Sequence, residues 1–285
     1  MTIHTGQNES IQANQVSGAV AGNYPYGKDK RYYDLLAYVV SNAMAGEIMA
    51  VDNYAEMALM FGDTDEKNDT IKQAYEEAKH IQVLHKLTRR LNIPSKKRIV
   101  EPQWLNVRKH FSEAAKRGDL AGCLAIQDLL VETMAITLYR TLTRNTDPET
   151  SRIADNILRD EIAHRQIGYD RFKGLLDEDD TAAHESLVWA HRSVISDLFS
   201  MISYKCHSLC GELEVECSTL GLDSLETDLE SVRMEALEVY METLDQCGFS
   251  PAVTTPLISE LTTLAENGLS EELGSCCNVS AGCQP

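Results

Sequence analysis

Two stretches of this sequence share one pattern: Glu77-Ala-Lys-His80 and Glu161-Ile-Ala-His164. Helical residues at i and i+3 lie on one face, so the glutamate and the histidine of each stretch can point at one spot. A lone glutamate precedes each stretch at nearly the same distance, Glu47 by 30 residues (77 − 47) and Glu132 by 29 residues (161 − 132). Four helices would then supply four carboxylates and two imidazoles. This set predicts a di-iron or di-manganese carboxylate centre in a ferritin-like four-helix bundle.

The surroundings of the two lone glutamates favour a metal-binding role over an accidental repeat. Glu132 is the only acidic residue within Leu129-Leu-Val-Glu-Thr-Met-Ala-Ile136, on a helix that is apolar almost all round and is therefore expected to be buried. An unpaired buried carboxylate would cost several kcal/mol or take up a proton. A buried salt bridge is the structural alternative, but no Lys or Arg lies one turn from Glu132 or from Glu47. Carboxylate-rich ligands with two imidazoles favour iron or manganese over zinc.

Further polar residues are candidates for orienting these ligands. A metal-bound histidine usually donates its second ring N–H to a carboxylate or a carbonyl, and we expect Asp160 or Asp52 in that role. Gln127 lies five residues before Glu132, and Tyr139 lies seven residues after it, on the same face two turns on. A core tyrosine with a hydrogen-bonded hydroxyl explains Tyr139 equally well.

Apolar residues recur at helical spacing along most of the chain, and no sustained alternation of period two indicates a strand. The predicted fold is therefore all-α. The first helices are expected over about 32–61 and from a cap at Asp63 or Asp65 to about Leu91, followed by a loop at Asn92-Ile-Pro-Ser95. The later ones are expected at about 104–117, 121–144, 149–175, 180–204, 224–246 and 255–267.

Composition sets the outer limits of the function. The chain has 285 residues and a net charge of −18, which argues against nucleic acid and against anionic membrane surfaces as partners. The sequence contains no run of 18 apolar residues, so no integral membrane segment is expected. The polar N-terminus lacks the basic-then-apolar order of a signal peptide, so a cytoplasmic location is expected. The predicted organisation is a disordered segment at 1–29, a helical metal-binding domain at 30–268 and a Cys-rich tail at 269–285.

Eight cysteines occur in the sequence, and a disulfide framework is not expected in a cytoplasmic protein of this size. Cys123 and Cys247 are predicted to be buried packing residues. Cys206 and Cys210 could place two thiols one helical turn apart. The tail residues Cys276, Cys277 and Cys283 either bind a soft metal ion or exchange disulfides, or are free thiols on a mobile end; both interpretations stay open.

Several local sequences resemble one known family. Ala45-Gly-Glu47 followed by Val51-Asp-Asn-Tyr54 is similar to the first ligand helix of the cyanobacterial aldehyde-deformylating oxygenases, also called fatty aldehyde decarbonylases. The stretches 125–136 and 158–165 are similar to two further ligand helices of that family, and weaker similarity extends from Leu187-Val-Trp189 to 244–249. The resemblance covers about residues 30–268.

This resemblance implies a di-iron centre held by six ligands: Glu47, Glu77, His80, Glu132, Glu161 and His164. It implies that two ferrous ions activate O2 for attack on an aldehyde carbonyl, which yields formate and a hydrocarbon one carbon shorter. An external electron donor such as a ferredoxin is required in that family. Tyr54, Gln127 and Tyr139 match polar residues near the centre and are expected to tune it or to relay protons.

Two alternatives accompany this expectation. Tyr38, Asn42, Ala43 and Met44 precede the first ligand and make that face more polar than an aliphatic lining, which favours a related di-iron oxygenase acting on a smaller polar, amine or amino-acid-derived substrate. The other alternative is metal handling in the manner of ferritins and rubrerythrins, although the chain has no paired Cys-x-x-Cys module. Manganese in place of iron also stays open.

Overall fold

The computed structural model describes residues 25–202 and 229–261, and every regular element in these two ranges is helical. The all-α prediction is therefore confirmed for the described residues. The elements are α1 (Lys30–Met57), α2 (Thr64–Leu91), α3 (Lys97–Arg117), α4 (Leu120–Leu124), a π-helical segment (Ala125–Val131), α5 (Glu132–Asn145), α6 (Pro148–Glu178), α7 (Asp180–Ile202), α8 (Leu229–Gln246) and a last helix over 251–261.

Aspartate caps fix where three of the long helices begin. Asp29 accepts a hydrogen bond from the backbone N–H of Tyr32, and Asp63, one of the two predicted candidate caps, accepts from the backbone N–H groups of Asp65 and Glu66 in the first turn of α2. Asp147 caps α6 and is followed by Pro148, whose missing N–H costs nothing at the first helical position. Asn92 ends α2 in the left-handed conformation, at φ 52°, before the predicted loop.

The four ligand-bearing helices form one bundle. Helix α1 packs mainly on α2, and α5 packs mainly on α6, while α2 and α6 also meet directly. Helices α3 and α7 cover one side of this bundle, and α8 lies against α5. The buried apolar side chains of all these helices form one continuous core.

One predicted boundary is wrong, and one predicted helix is less regular than expected. Helix α3 begins at Lys97, not near Trp104, because Pro102 is accommodated in its second turn. The helix predicted over 121–144 is interrupted by seven residues of π-helix, which no spacing rule for an α-helix indicates. The predicted segments 1–29 and 269–285 lie wholly or mostly outside the described residues, as do Cys206, Cys210, Cys217, Cys276, Cys277 and Cys283. Cys123 and Cys247 are buried free thiols, as predicted.

Two stretches, Lys30–Met57 and Leu120–Asn145, are long and apolar enough to cross a membrane by length and composition alone. The expectation that no segment would be long and apolar enough to span a membrane is therefore wrong. However, 78% and 83% of their most apolar windows are buried inside the protein. Central helices of a bundle have the same composition, so these two carry little evidence for a membrane span.

Candidate metal centre

The structure brings together all six predicted ligands at the centre of the bundle. Glu47 comes from α1, Glu77 and His80 from α2, Glu132 from α5, and Glu161 and His164 from α6; all six are buried. Their ligand atoms form two groups in which all atoms lie within 4.8 Å of one another. One group is Glu47, Glu77, His80 and Glu161, and the other is Glu77, Glu132, Glu161 and His164.

Glu77 and Glu161 belong to both groups, so the four glutamates are of two kinds, shared and unshared. The two glutamates of the Glu-x-x-His stretches lie between the groups, where a carboxylate can bridge two ions. Glu47 and Glu132 each belong to one group only, as does each histidine. The arrangement is a pair of four-residue groups that share two glutamates, which would hold two metal ions as in dimetal carboxylate proteins.

Charge and hydrogen bonding both indicate that the residues fit a pair of divalent ions. Four carboxylates carry four negative charges, which two divalent cations with neutral imidazoles would balance. One oxygen atom of each of Glu77, Glu132 and Glu161 and Nδ1 of His164 are buried without a hydrogen-bond partner among the described residues. His164 Nδ1 lies 2.8 Å from Glu77 Oε1 without hydrogen-bond alignment. Such crowding of unpaired donor atoms is costly unless a cation lies between them.

Protonation of the histidines is linked to metal binding. Burial lowers the pKa of His164, but the carboxylates of Glu161 and Glu77 outweigh this effect and raise it to about 12. Burial likewise opposes a charge on His80, and Glu161, Glu47 and Glu77 together raise its pKa. A bound metal ion takes the place of the proton on each ring, so metal binding releases protons.

Each imidazole is held from outside by a carboxylate of the opposite helix. His80 Nε2 on α2 lies 3.1 Å from Asp160 Oδ2 on α6, and His164 Nε2 on α6 lies 3.0 Å from Glu76 Oε2 on α2. The contact predicted for Asp160 is therefore confirmed. The other candidate, Asp52, is exposed and makes no hydrogen bond to either ring. Both contacts leave Nδ1 facing the ligand carboxylates.

Glu76 was missed, although the sequence holds a signal for it. Glu76 precedes Glu77 as Asp160 precedes Glu161, so the repeated unit is an acid followed by Glu-x-x-His. Because the two units lie on facing helices, the acid of one reaches the histidine of the other.

The π-helical segment explains why Gln127 reaches the centre. The backbone N–H of Glu132 bonds to the carbonyl of Gln127, an i→i−5 bond that puts the two residues on one face. Gln127 Nε2 then donates to Glu132 Oε1 at 3.0 Å, and Asn53 Nδ2 donates to Gln127 Oε1 at 2.7 Å. In a regular α-helix, residues five apart point in different directions.

Two tyrosines complete the contacts of the unshared glutamates. Tyr54 Oη donates to Glu132 Oε1 at 2.8 Å, and Tyr139 Oη donates to Glu47 Oε1. Burial, together with the surrounding carboxylates, raises the pKa of both hydroxyls well above the usual value, so both keep their protons at neutral pH. All three polar residues singled out from the sequence thus contact a candidate ligand.

A family model agrees with this geometry. The model for long-chain fatty aldehyde decarbonylases matches residues 29–252, most of the chain. The chain belongs to this family. Among solved structures, this decarbonylase-family chain is similar to a Synechococcus protein with aldehyde deformylating oxidase activity, at a TM-score of 0.68 and 17% identity, over 81% of this chain and 98% of that one.

Two further structures share the fold. A variant of an R2-like ligand-binding oxidase with a Mn/Fe cofactor matches at a TM-score of 0.61 and 16% identity, over 75% of this chain and 81% of that one. The same kind of oxidase, with a metal cofactor reconstituted in air and after photoconversion, matches at 0.64 and 15%, over 77% and 82%. At these identities the likeness establishes the fold, and the buried Glu/His groups of this decarbonylase-family chain are able to hold two metal ions.

A narrow apolar cavity reaches the centre on its carboxylate side. All four ligand carboxylates line it, and neither histidine does. The space open to the centre of a water molecule is only about 40 Å³, so the cavity is small. The remaining wall is largely apolar and includes Val131, Met134, Ala135, Leu138, Leu198 and Met201.

Trp104 forms part of this wall and was not predicted as a site residue. Its indole Nε1 donates to Asn42 Oδ1 at 2.7 Å, and a β-carbon at Gly46 would lie 3.0 Å from two of its ring carbons. Glycine next to the ligand Glu47 therefore lets the indole approach α1 closely. The oxygen of Asn42 is used by this bond, and Tyr38 Oη donates to the carbonyl of Met201 at 3.2 Å. Both polar side chains predicted for this face are thus engaged within the protein.

Asp128 is another residue that sequence reasoning missed. It is fully buried in the π-helical segment, and neither of its carboxylate oxygens has a hydrogen-bond partner among the described residues. Burial raises its pKa to about 6, although the charge of Arg171 opposes this shift. It packs on Gly168 of α6, where an added β-carbon would lie 2.4 Å from its own.

Proposed function

We propose that this protein is an O2-dependent, non-haem di-iron oxygenase that converts an aldehyde to formate and a hydrocarbon one carbon shorter. One observation carries the proposal: a small, largely apolar cavity is lined by the four carboxylates of a buried dimetal ligand set. An aldehyde can lay its hydrocarbon chain along the apolar wall and present its carbonyl at the centre. Membership of the decarbonylase family supports the same reaction.

The reaction needs electrons as well as O2. Balanced for atoms and charge, an aldehyde, O2, four electrons and four protons give a hydrocarbon, formic acid and water. Two bound ferrous ions would supply electrons and Lewis acidity for O2 activation. The electrons must be renewed from outside, and we propose a ferredoxin-type donor. Iron and manganese both suit this ligand set. We propose iron as the pair of bound ions.

The chain's own residues orient the ligands and exclude water. Tyr139 donates to Glu47, while Tyr54 and Gln127 donate to Glu132, so each unshared carboxylate is held in one orientation. The hydroxyl protons of both tyrosines lie one hydrogen bond from a ligand carboxylate, which places them to deliver a proton there. The apolar wall keeps bulk water from reactive species.

The cavity favours an aliphatic aldehyde over the smaller polar substrate, because Asn42 and Tyr38 are already engaged within the protein. It also distinguishes this reaction from metal storage, which needs no apolar cavity beside the ligand carboxylates. We therefore propose no role in storage.

Single-turnover product analysis tests the proposal. The protein is loaded anaerobically with ferrous iron, mixed with fatty aldehydes of several chain lengths, and exposed to O2 with a chemical reductant. Formate and a hydrocarbon one carbon shorter are expected in equal amounts. Glu132→Gln is the matched control, which keeps size and removes one ligand charge. Iron uptake and O2 consumption without aldehyde loss would refute the deformylating reaction, and absence of iron uptake would refute the metal assignment.

A further inference from the structure

A basic groove lies between α2 and α6 on the outside of the bundle. Lys86, Arg89 and Arg90 on α2 and Arg152 on α6 line it, together with three less polar or neutral residues: Val83, Ile153 and Asn156. Its volume is about 540 Å³, which is large enough to accept protruding side chains of another protein. The groove is a positive region on a protein whose net charge is −18.

The sequence around the groove is unusually rich in cations. Residues 78–100 contain seven of the 26 Lys and Arg residues and none of the 44 Asp and Glu residues. Of the groove cations, only Arg90 has an ion-pair partner, Glu149, among the described residues; Lys86, Arg89 and Arg152 have none there. A structural salt-bridge network therefore does not account for the cluster.

The groove adjoins the histidine side of the metal centre. His80 lies three residues before Val83 on α2, and Asp160 lies four residues after Asn156 on α6, so both lie one helical turn, about 5 Å, further along the same faces. His80 Nε2 contacts Asp160, whose side chain is 47% exposed, while His80 Nδ1 faces the ligand carboxylates. One imidazole thus links the metal centre to the surface beside the groove.

We propose that this groove is the docking site of an acidic one-electron carrier protein. Its positive rim complements an acidic partner, and its position brings that partner beside the connection from the surface to the ligands that Asp160 and His80 form. In each docking event the carrier loses one electron and the dimetal centre gains it. This inference rests on the proposed function, which requires renewed electrons.

A protein partner fits the groove better than an anionic membrane does. The groove is concave, with Val83 and the buried Ile153 between its two cationic rims. A flat lipid surface would contact the rims alone. The strongly negative remainder of the protein would also repel an anionic bilayer.

Charge reversal of two unpaired cations tests the site. The variant Lys86→Glu/Arg152→Glu is compared with Lys173→Glu, an exposed lysine on α6 about 31 Å further along the helix. An acidic [2Fe–2S] ferredoxin with its reductase is the probe. The KM for ferredoxin is expected to rise about tenfold or more in the double variant and to lose its salt dependence, because steering by complementary charge is removed. Lys173→Glu is expected to leave it unchanged.

Two further readouts separate this inference from the proposed function. Turnover with a chemical reductant and a small mediator, together with iron content, is expected to be equal in all three proteins. Direct binding of ferredoxin at low and high salt measures docking even in the absence of turnover. Equal ferredoxin binding by wild type and double variant would overturn the docking site, whatever the activity. A third outcome is that the wild type binds anionic phospholipid vesicles, the double variant does not, and both bind ferredoxin equally. This outcome would assign the groove to a membrane and would also overturn the docking site.

Discussion

Replacing Glu76 by glutamine is expected to weaken one of the two metal sites and to spare the other. Glu76 Oε2 lies 3.0 Å from Nε2 of His164, which belongs only to the ligand group that contains Glu132. The amide oxygen of glutamine can still accept the N–H bond, but it brings no negative charge. The imidazole keeps its orientation and becomes a less basic ligand.

The size of the effect follows from charge and burial. Loss of such outer contacts typically lowers metal affinity about 10- to 100-fold, or about 1.4–2.7 kcal/mol. Because glutamine retains the hydrogen bond, the lower figure is expected for Glu76→Gln. Asp160→Asn affects His80 in the same way, but the Asp160 side chain is 47% exposed whereas that of Glu76 is 21% exposed. Water screens the more exposed charge, so a smaller loss is expected there.

Anaerobic titration with ferrous or manganous ions against a chromophoric chelator measures both affinities. The decisive background is Glu132→Gln, which removes a ligand of the group containing His164. Addition of Glu76→Gln to it should leave the remaining ion unaffected, while addition of Asp160→Asn should weaken it. Asp155→Asn, which removes an exposed partner of Arg159, is the control. If Glu76→Gln weakened the remaining ion as much as Asp160→Asn, the crosswise assignment of the outer carboxylates would be wrong.

Three further changes test the packing around the centre. In Gly168→Ala the added methyl group would clash with Asp128 of the π-helical segment, so the free energy of unfolding is expected to fall by about 1–3 kcal/mol. Gly174→Ala on the same helix is the control: its methyl group meets nothing within 4 Å and should be neutral or stabilising in denaturant titrations. Asn42→Leu leaves the Trp104 N–H without its partner, which is expected to lower the free energy of unfolding by about 1–3 kcal/mol. The indole, no longer held by this bond, should broaden the range of aldehyde chain lengths found in product analysis. An unchanged range would show that Trp104 does not determine substrate specificity. Burial lowers the pKa of His191 from 6.5 to about 4, so between these pH values the unfolded chain binds a proton that the folded chain does not. The free energy of unfolding is therefore expected to fall by up to about 3 kcal/mol as the pH is lowered from about 6.5 towards 4. In His191→Phe the free energy of unfolding should fall correspondingly less over that range.

The six candidate ligands and the class of fold could be predicted because both depend on local spacing. A glutamate and a histidine three residues apart share a helix face in any α-helix, so Glu77 and His80 are paired before any tertiary contact is known. The buried setting of Glu132 was equally visible, since it is the only acidic residue within the largely apolar stretch 129–136. Residues that act through local periodicity are therefore the ones that sequence reasoning finds.

The residues that were missed depend on tertiary or irregular structure. The π-helical turn that aligns Gln127 with Glu132 adds a residue to one turn, and no periodic pattern records it. Trp104 reaches the cavity from α3, a helix without a ligand, and only its contact with Gly46 of α1 assigns it to the site. Asp128 lies four residues before Glu132 in an apolar run, where its burial without a partner depends on α6 packing against it.

The dimetal centre has two chemically different sides, which accounts for how one small site can serve several reactants. On one side, the four ligand carboxylates face the apolar cavity, which neither ligand histidine lines. On the other side, the Nε2 atoms of His80 and His164 face Asp160 and Glu76. An aldehyde entering the cavity and an electron carrier docked beside His80 would therefore not compete for space. A variant that narrows the cavity should change aldehyde preference without changing carrier affinity, and charge reversal in the groove should do the opposite. A variant on one side that altered both parameters equally would show that the two sides do not act independently.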